Sequence, residues 1–488
     1  MPVAPDYWFS RFLFQRGLGL VYLIAFLVAL NQFRPLLGEH GLLPVPNFVK
    51  QVAFADSPSL FYLWPKDIAF MAAAWIGVAL SCLAVAGVSE RFGLGVSMAV
   101  WALLWALYIS FVNVGQVFYG YGWETMLLEA GFCAIFLGNG ATMPNMIPLW
   151  ILRWMEFRVM FGAGLIKLRG DQCWRDLTCL DYHYETQPIP NPLSWYFNAL
   201  PKWMLHSGVA FNHFIEIVVP FGYFLPQPVA TIAGALTILF QLILMLSGNL
   251  SFLNLLTIVL AVPMLDGRLL ARLLPLQTPV LQEAGRWHYY AVLGYAAVVA
   301  LLSIRPAINL ISPRQMMNAS FEPLHLVNTY GAFGSVGRTR DEVIVEGSGD
   351  PAMLDGSWRA YEFKGKPGDP FRMPPQIAPY QLRIDWQMWF AAMSRYQDEP
   401  WFVNFVAKLL QGDGAVLSLL RVNPFPNTPP VYIRAQLYRY RFSTADERRK
   451  TGAWWQRELT GRWFPPVSLD TPGFRRILQD QGWLSPPP

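Results

Sequence analysis

The stretch from Pro148 to Phe197 constrains the fold more than any other part of the chain. Its first part is an apolar run long enough for a helix that crosses a bilayer, yet it carries several ionisable residues. Because such groups are costly in hydrocarbon, we expect them to face a bundle interior in a functional or packing role. Two glycines, Gly162 and Gly164, would let another backbone approach closely. The ionisable residues are Arg153, Glu156, Arg158 and Lys167.

Helical geometry places some of these charges on one side. Glu156 and Lys167 differ by eleven positions, which at about 100° per residue puts them within about 20° of each other, with Arg153 near the same stripe. At about 1.5 Å of rise per residue they are still about 16 Å apart along the axis. We therefore expect the direct partner of Lys167 to be Asp171 or an acid from another span. Arg158 points elsewhere.

Composition identifies the class of protein. Of the 488 residues, 54% are hydrophobic and only 14% are charged, with a mean hydropathy of +0.31. These values are typical of a membrane protein. The net charge of +5 is modest, and the basic residues form no compact cluster, so nucleic-acid binding is disfavoured.

Nine apolar segments are predicted to cross the membrane. The first is interpreted as a retained helix, since residues 1–11 lack a small-residue cleavage site. The fourth and eighth are short enough to be re-entrant or tilted. Together they define a polytopic α-helical membrane domain over residues 1–312. The predicted spans are 12–33, 68–88, 93–115, 124–140, 148–168, 208–225, 229–247, 250–265 and 289–311.

The composition changes after residue 311. Residues 318–488 carry charges throughout, include alternating runs such as EVIVEG and WRAYEFKG, and have no apolar run of bilayer length. This pattern predicts a soluble, mainly β C-terminal domain. Four tryptophans are expected to supply core bulk, although a partly exposed group would suit binding of an apolar protein surface. They are Trp386, Trp389, Trp454 and Trp455.

Basic residues predict the orientation. The longer loops 34–67 and 169–207 fall on the opposite side from most short basic connections, together with everything after residue 311. We therefore expect the C-terminal domain to be lumenal in a eukaryotic endoplasmic reticulum, or periplasmic at a bacterial inner membrane. The residues assigned to the cytoplasmic side are Arg11, Arg16, Arg91, Arg268, Arg272 and Arg286.

Further polar residues lie in the predicted spans. Glu129 could pair with Arg158, and a structural ion pair is favoured over catalysis because unpaired charges in hydrocarbon are so costly. Glu124 lies near the outer end and is read most simply as solvated. His213 and Glu216 are three apart on one helix face, which suits an acid/base pair or two ligands of one metal. A satisfied interhelical contact is the favoured reading of this pair, and no third ligand is visible.

The predicted outer loop after Lys167 carries another set of candidates. Cys173 and Cys179 could form a local disulfide in an oxidising compartment or remain free thiols. His183 lies between two tyrosines, and Pro188, Pro190 and Pro192 then force an extended path. We expect this loop to lie over the outer mouth of the bundle.

The run GLIKLRGDQCWRDLTCLDYHYETQPIPNPLSWYF resembles the signature segment of the lipase maturation factor family. Eukaryotic members of that family are endoplasmic reticulum membrane proteins that secreted lipases need in order to become active. The segments LLGEHGLLPV, PYQLRIDWQMWFAAMS, NPFPNTPPVYIRAQLYRYRF and WWQREL also look like this family. The resemblance implies an integral membrane factor that assists the maturation or assembly of exported client proteins, lipases among them.

A fainter resemblance is to the membrane domain of vitamin K-dependent gamma-carboxylase. It implies that Lys167 could serve as a catalytic base. The alternative hypothesis is therefore a membrane enzyme that acts on a lipid or lipid-like cofactor through Lys167, Glu156, His213 and Glu216. The sequence contains no recognisable nucleophilic triad, phosphate-binding loop or set of metal ligands, and no cofactor can be named. The non-enzymatic reading is therefore favoured. The matching residues are Ala163, Gly164, Lys167, Leu168, Asp171 and Trp174.

Overall fold

The computed structural model describes residues 7–484, and helices dominate the chain as far as Ile311. The long helices are α1 (Trp8–Leu37), α2 (Asp67–Ala86), α3 (Leu94–Asn113), α4 (Gly122–Ile135), α5 (Met146–Arg169), α6 (Lys202–His213), α7 (Val229–Ser247), α8 (Leu253–Ala261), α9 (Arg286–Leu302) and α10 (Ile304–Ile311). A π-helical turn, Phe214–Val218, and a 3₁₀ segment, Val219–Phe224, continue α6. Short helices cover Val45–Gln51, Gln116–Tyr119, Gln172–Arg175, Leu180–Thr186, Ser194–Asn198 and Gly267–Leu273.

Five helical segments within residues 7–484 are long and apolar enough to cross a membrane. They are α1, α2, α3, α7 and the α9–α10 pair, Arg286–Ile311; a sixth is the pair Leu253–Met264 and Gly267–Leu273, bent by 113°, if it counts as one span. The other predicted spans are helical but do not qualify, because α4 has only 14 residues, α5 carries several charges, and α6 changes helix type at Phe214. The predicted count of nine spans is not confirmed.

The region after the bundle contains small antiparallel sheets. The larger sheet has the strand order β2-β1-β5-β6, with β1 at Arg340–Ser348, β2 at Arg359–Ala360, β5 at Tyr432–Phe442 and β6 at Trp455–Val467. Arg340 lies opposite Tyr440, and Phe442 lies opposite Trp455. A second sheet pairs β3 (Glu362–Phe363) with β4 (Leu420–Val422). Helices α11 (Arg383–Ala391), α12 (Pro400–Leu410), Gly414–Leu417, α13 (Ala445–Thr451) and α14 (Pro472–Asp480) lie among or beyond the strands.

The C-terminal region is thus mixed α/β instead of mainly β, and its sheet begins later than residue 318. The intervening segment, residues 312–337, packs on the helical bundle: a Cβ atom at Gly162 of α5 would lie 2.5 Å from the Tyr330 carbonyl oxygen. This glycine therefore permits a backbone to lie directly against α5. Three of the four tryptophans, Trp386, Trp454 and Trp455, are buried, as expected for core residues.

The C-terminal region and the bundle share one hydrophobic core. Buried polar contacts cross the same boundary: Gln32 Nε2 donates to the Gln381 carbonyl at 2.6 Å, and Asn404 Nδ2 donates to the Leu42 carbonyl at 2.9 Å. Arg383 Nη2 lies 2.9 Å from Glu124 Oε1, and both side chains are fully buried. The reading of Glu124 as solvated is wrong, since α11 covers it and supplies its counter-charge.

The Arg383–Glu124 pair gives a test of how the two regions depend on each other. We expect Arg383→Ala to lower the free energy of unfolding by about 3–5 kcal/mol, because Glu124 would remain buried without its cation. The check is the apparent melting temperature of the detergent-solubilised protein. Arg395→Ala is the matched control: its pair with Asp398 is largely exposed and is worth under about 1 kcal/mol. Equal losses of melting temperature in both variants would contradict the assignment of Arg383 as the buried counter-charge of Glu124.

The contact at Gly162 gives a second test. We expect Gly162→Ala to destabilise the protein by about 1–3 kcal/mol, because the added methyl group meets backbone that cannot rotate away. Gly294→Ala is the control, since that helical glycine has open space around its Cα and alanine favours the helix by about 1 kcal/mol. Apparent melting temperatures again provide the measurement. Tolerance of Gly162→Ala would show that residues 312–337 do not lie against α5.

Candidate functional site

Lys167 lies near the end of α5 in a buried polar cluster. Its Nζ is 2.5 Å from Glu216 Oε1 and donates to Asn212 Oδ1 at 3.2 Å. Asn212 Nδ2 in turn donates to Glu216 Oε2 at 2.9 Å. The Lys167 ammonium also lies 5.1 Å from the centre of the Trp174 ring, within the range of a cation–π contact. The charge is therefore held by a carboxylate, an amide and an aromatic ring.

The local sequence explains how these groups meet. A Cβ atom at Gly164 would lie 2.4 Å from Ile217 Cδ1 and 3.0 Å from Glu216 Cβ, so the glycine allows the following helix to approach α5. Glu216 lies in the π-helical turn Phe214–Val218. Such turns are rare in proteins, and those that occur are often found at functional sites. The direct partner of Lys167 is thus an acid from another predicted span, one of the two options that the sequence left open.

His213 and Glu216 do not act on a common partner. His213 Nε2 lies 3.0 Å from the Trp174 carbonyl oxygen, whereas Glu216 faces Lys167 and Asn212. The structure therefore does not support the hypothesis of a His213–Glu216 acid/base or metal pair, because the two side chains are engaged by different elements. Within residues 7–484, no group of three His, Cys, Asp or Glu side chains is arranged to hold a metal ion.

The signature loop is attached to residues 331–338. The Asp171 backbone N–H donates to the Gly334 carbonyl at 2.8 Å, and Asp171 pairs with Arg338 at 2.8 Å. Trp174 Nε1 donates to the Phe333 carbonyl at 2.8 Å. The hydrogen bonds from Arg338 hold the pKa of Asp171 below its usual range. This glycine-rich segment therefore holds Asp171 and positions Trp174 beside Lys167.

The loop contains a disulfide bond and a half-buried histidine. Cys173 and Cys179 are bonded to each other, with their Cα atoms 4.7 Å apart. His183 is packed against the Phe333 ring, with ring centres 5.1 Å apart. Burial, with a smaller contribution from the Lys167 charge, lowers the pKa of His183 to about 4. The ring is consequently neutral near pH 7, so His183 adds no cation next to Lys167.

A second buried cluster surrounds Glu129 and Arg158. These two side chains form an ion pair between α4 and α5. The Asn328 backbone N–H and the Tyr330 hydroxyl donate to Glu129 Oε2 at 3.0 and 2.7 Å, and Arg158 Nη1 donates to the Asn328 carbonyl at 2.6 Å. The segment 312–337 thus completes the hydrogen bonding of a charge pair between two helices.

Arg153 and Glu156 do not join either cluster. Arg153 donates to the carbonyl oxygens of Tyr223 and Pro263 at 3.0 and 2.9 Å. Glu156 is fully buried, and neither of its carboxyl oxygens has a hydrogen-bond partner among the described residues. Arg153, Glu156 and Lys167, which were predicted to share one face of α5, therefore lie in three separate environments along the helix.

Several residues of these sites were not identified from the sequence. Their residue types are common and their positions along the chain are far from the partner, so no local spacing pointed to them. Only Asn212, four residues before Glu216, had a usable signal, since side chains at i and i+4 share a helix face. The residues missed are Asn212, Asn328, Tyr330, Arg338 and Arg383.

Comparison with known proteins covers both parts of the chain. Residues 9–272 match the lipase maturation factor transmembrane domain, and residues 326–465 match the lipase maturation factor C-terminal domain. Lipase maturation factor 1 of Homo sapiens is 43% identical over 526 residues, covering 99% of this chain and 91% of that protein. The protein of the same name from Mus musculus is 42% identical, with 99% and 91% coverage.

A more distant relative is lipase maturation factor 2 of Xenopus laevis, which is 31% identical and covers 98% of this chain and 85% of that protein. No solved structure matches the chain. The resemblance noted in the signature segment therefore extends over nearly the whole length, including the bundle, the loop at Lys167 and the C-terminal region. The chain belongs to the lipase maturation factor family.

Proposed function

We propose that this protein is a multi-pass membrane factor that assists the maturation of exported client proteins, secreted lipases among them. The observation that carries the proposal is the relationship to lipase maturation factor 1, which covers 99% of this chain at 43% identity. The bundle and the C-terminal region share one core, so the part that would face a client is fixed to the part that lies in the membrane.

The state of the intramembrane charges supports a non-enzymatic role. Lys167 is buried and paired with Glu216, and Arg158 is buried and paired with Glu129. A catalytic base needs to be within hydrogen-bond reach of its substrate. The cavity of about 500 Å³ at the end of the bundle is lined by other residues, with Lys167, Glu156, His213 and Glu216 absent from its wall. Charges paired and covered by packing favour the assembly factor over the lipid-directed enzyme.

Substitutions at Lys167 distinguish the assembly factor from the lipid-directed enzyme. The test uses cells without endogenous lipase maturation factors. We expect the wild-type chain to raise the specific activity of a secreted lipase in these cells. Lys167→Arg should retain most of this effect, because arginine keeps the charge and reach but is not a usable base. Lys167→Met should lower membrane abundance, since Glu216 would lose its cation at a cost of about 3–5 kcal/mol.

Lys202→Met is the matched control for these variants. Its ammonium is largely exposed in its pair with Asp181, so abundance and lipase activation should stay at wild-type levels. If Lys167→Arg had normal abundance and no effect on lipase, Lys167 would be a base and the enzyme reading would replace ours. If the wild-type chain activated no secreted lipase, the proposed clients would be wrong.

We further propose nine membrane crossings with the C-terminal region in the lumen or periplasm. Contacts from that region to residues 41–42 and 185–188 support a common side for both long loops. The basic residues assigned to the cytoplasm give only partial support, because two of them are engaged within the protein. Arg11 is buried, and Arg16 pairs with Glu90. The four that remain exposed are Arg91, Arg268, Arg272 and Arg286.

Reporter fusions test this topology. A reporter fused after Pro488 should be lumenal or periplasmic, and one inserted in the turn at Pro226, between the 3₁₀ segment and α7, should be cytoplasmic. The measurement is the activity of a compartment-specific enzyme in intact cells, with the total fusion protein quantified in parallel. If both reporters were found on one side of the membrane, nine crossings in this orientation would be excluded.

A further inference from the structure

One face of α7 is lined by exposed apolar side chains that recur at spacings of seven, three and four residues. This spacing places them in a single stripe along the helix. The helix has 19 residues, which gives a length of about 28 Å, close to the thickness of the hydrocarbon core. The stripe therefore faces lipid, and its last member lies at the boundary of the hydrocarbon. The four residues are Ile232, Leu239, Leu242 and Leu246.

A segment of the C-terminal region is tied to this end of α7. Asn249 follows the last residue of the stripe by three positions, in the turn between α7 and α8. Its Nδ2 donates to the Pro375 carbonyl at 2.8 Å, and its Oδ1 accepts hydrogen bonds from the backbone N–H groups of Ile377 and Ala378, both at 2.8 Å. Residues 375–378 are therefore held at the level where α7 leaves the hydrocarbon.

The residues just before this anchor expose two large apolar side chains. Phe371 is 62% exposed and Met373 is 47% exposed. Arg372, between them, donates to the Phe363 carbonyl at 2.7 Å, so the charge points into the protein while the two apolar side chains remain on the surface. Because consecutive residues extend the chain by at most about 3.6 Å each, Met373 lies within about 7 Å of Pro375 and Phe371 within about 14 Å.

The signature loop contributes two more exposed side chains at the same place. Asn191 Nδ2 donates to the Leu246 carbonyl at 3.0 Å and to Gln376 Oε1 at 3.2 Å. Leu193 and Tyr196, two and five residues later, are 40% and 51% exposed. Two segments that are far apart in sequence thus present apolar surface at the end of the stripe. We name this surface the α7-end patch; its members are Leu193, Tyr196, Phe371 and Met373.

An aromatic and basic border adjoins the α7-end patch. The guanidinium carbon of Arg448 lies 3.4 Å from the ring centre of Trp454, 4.8 Å from that of Trp195 and 5.9 Å from that of Tyr196. Tryptophan and tyrosine are enriched where a membrane protein passes the headgroup region, and arginine can keep its charge at that level while its stem covers apolar surface. The surroundings of the patch therefore have the chemistry of a membrane interface.

We propose that the α7-end patch inserts into the leaflet at the end of α7 and anchors the C-terminal region in lipid as well as on the bundle. The occupant is the boundary between the headgroups and the acyl chains of a phospholipid bilayer. The patch begins where the lipid-facing stripe of α7 ends, and insertion there removes its apolar surface from water. The proposal concerns depth in the bilayer alone, so it is independent of the client and of the direction in which α7 crosses.

Spin labelling of the full-length protein in phosphatidylcholine nanodiscs tests the depth of the patch. Both free cysteines are first replaced, by Cys82→Ala and Cys133→Ala, and the disulfide is left intact. A single label is then attached through Phe371→Cys or Met373→Cys. Power saturation of the label compares its collisions with oxygen, which dissolves in hydrocarbon, and with nickel–EDDA, a polar complex that stays in water.

Two exposed leucines calibrate the measurement. Leu242→Cys places the label on the lipid-facing stripe and should give a high ratio of oxygen to nickel accessibility. Leu459→Cys is the matched control, because Leu459 is an exposed apolar residue of the C-terminal region that follows the exposed Arg457 and Glu458 on β6. We expect the ratio at positions 371 and 373 to exceed that at position 459 by about fivefold or more, since the nickel complex is excluded from hydrocarbon.

Each outcome decides the proposal. Ratios at 371 and 373 close to that of the Leu242→Cys protein support it, and Leu193→Cys gives a third, independent position should either label lower the melting temperature. Ratios equal to that of the Leu459→Cys protein would overturn the proposal and leave the patch in water, available to a protein client. Low accessibility to both reagents would also overturn it and identify a second copy of this chain as the occupant.

Discussion

The pairing of buried charges between distant parts of the chain is the interaction on which this structure depends. Moving an ion from water into a protein interior costs several kcal/mol after relaxation, and removal of a single partner is strongly destabilising. Here α4 and α5 are joined by Glu129 and Arg158, α5 and the π-helical turn by Lys167 and Glu216, and α4 and α11 by Glu124 and Arg383. Because separating a buried pair leaves an uncompensated charge, each pair disfavours other arrangements of its two elements. The charges therefore specify how apolar helices, which pack in many similar ways, are placed relative to one another.

The same constraint explains why the C-terminal region is not a separate body attached to a membrane anchor. Arg383 of α11 and Asn328 of the connecting segment supply partners for acids that lie on α4. Without them, Glu124 and Glu129 would lie in the bundle with fewer hydrogen bonds than a buried carboxylate requires. The region after residue 311 thus completes the bundle electrostatically as well as by shared apolar packing. This dependence accords with the family relationship, in which both parts of the chain are matched.

The sequence was informative wherever the signal was local. Apolar runs located the helices, the change in composition after residue 311 coincides with the end of α10, and the glycines at 162 and 164 marked close contacts that the structure contains. It was uninformative about partners separated by many residues. Glu124 was read as solvated because only the fold brings Arg383 to it, across more than 250 positions. The less favoured reading of His213 and Glu216 as an acid/base or metal pair finds no support for a related reason: a shared helix face permits contact between two side chains, but Trp174 and Lys167, from other elements, engage them separately.

Lys167 shows why residue type and position are insufficient to assign chemistry. The same lysine could be a base in a site open to substrate or a structural cation in a closed one, and the difference is in its surroundings. Here two acceptors hold the ammonium, so removal of a proton would leave the buried Glu216 carboxylate without its counter-charge.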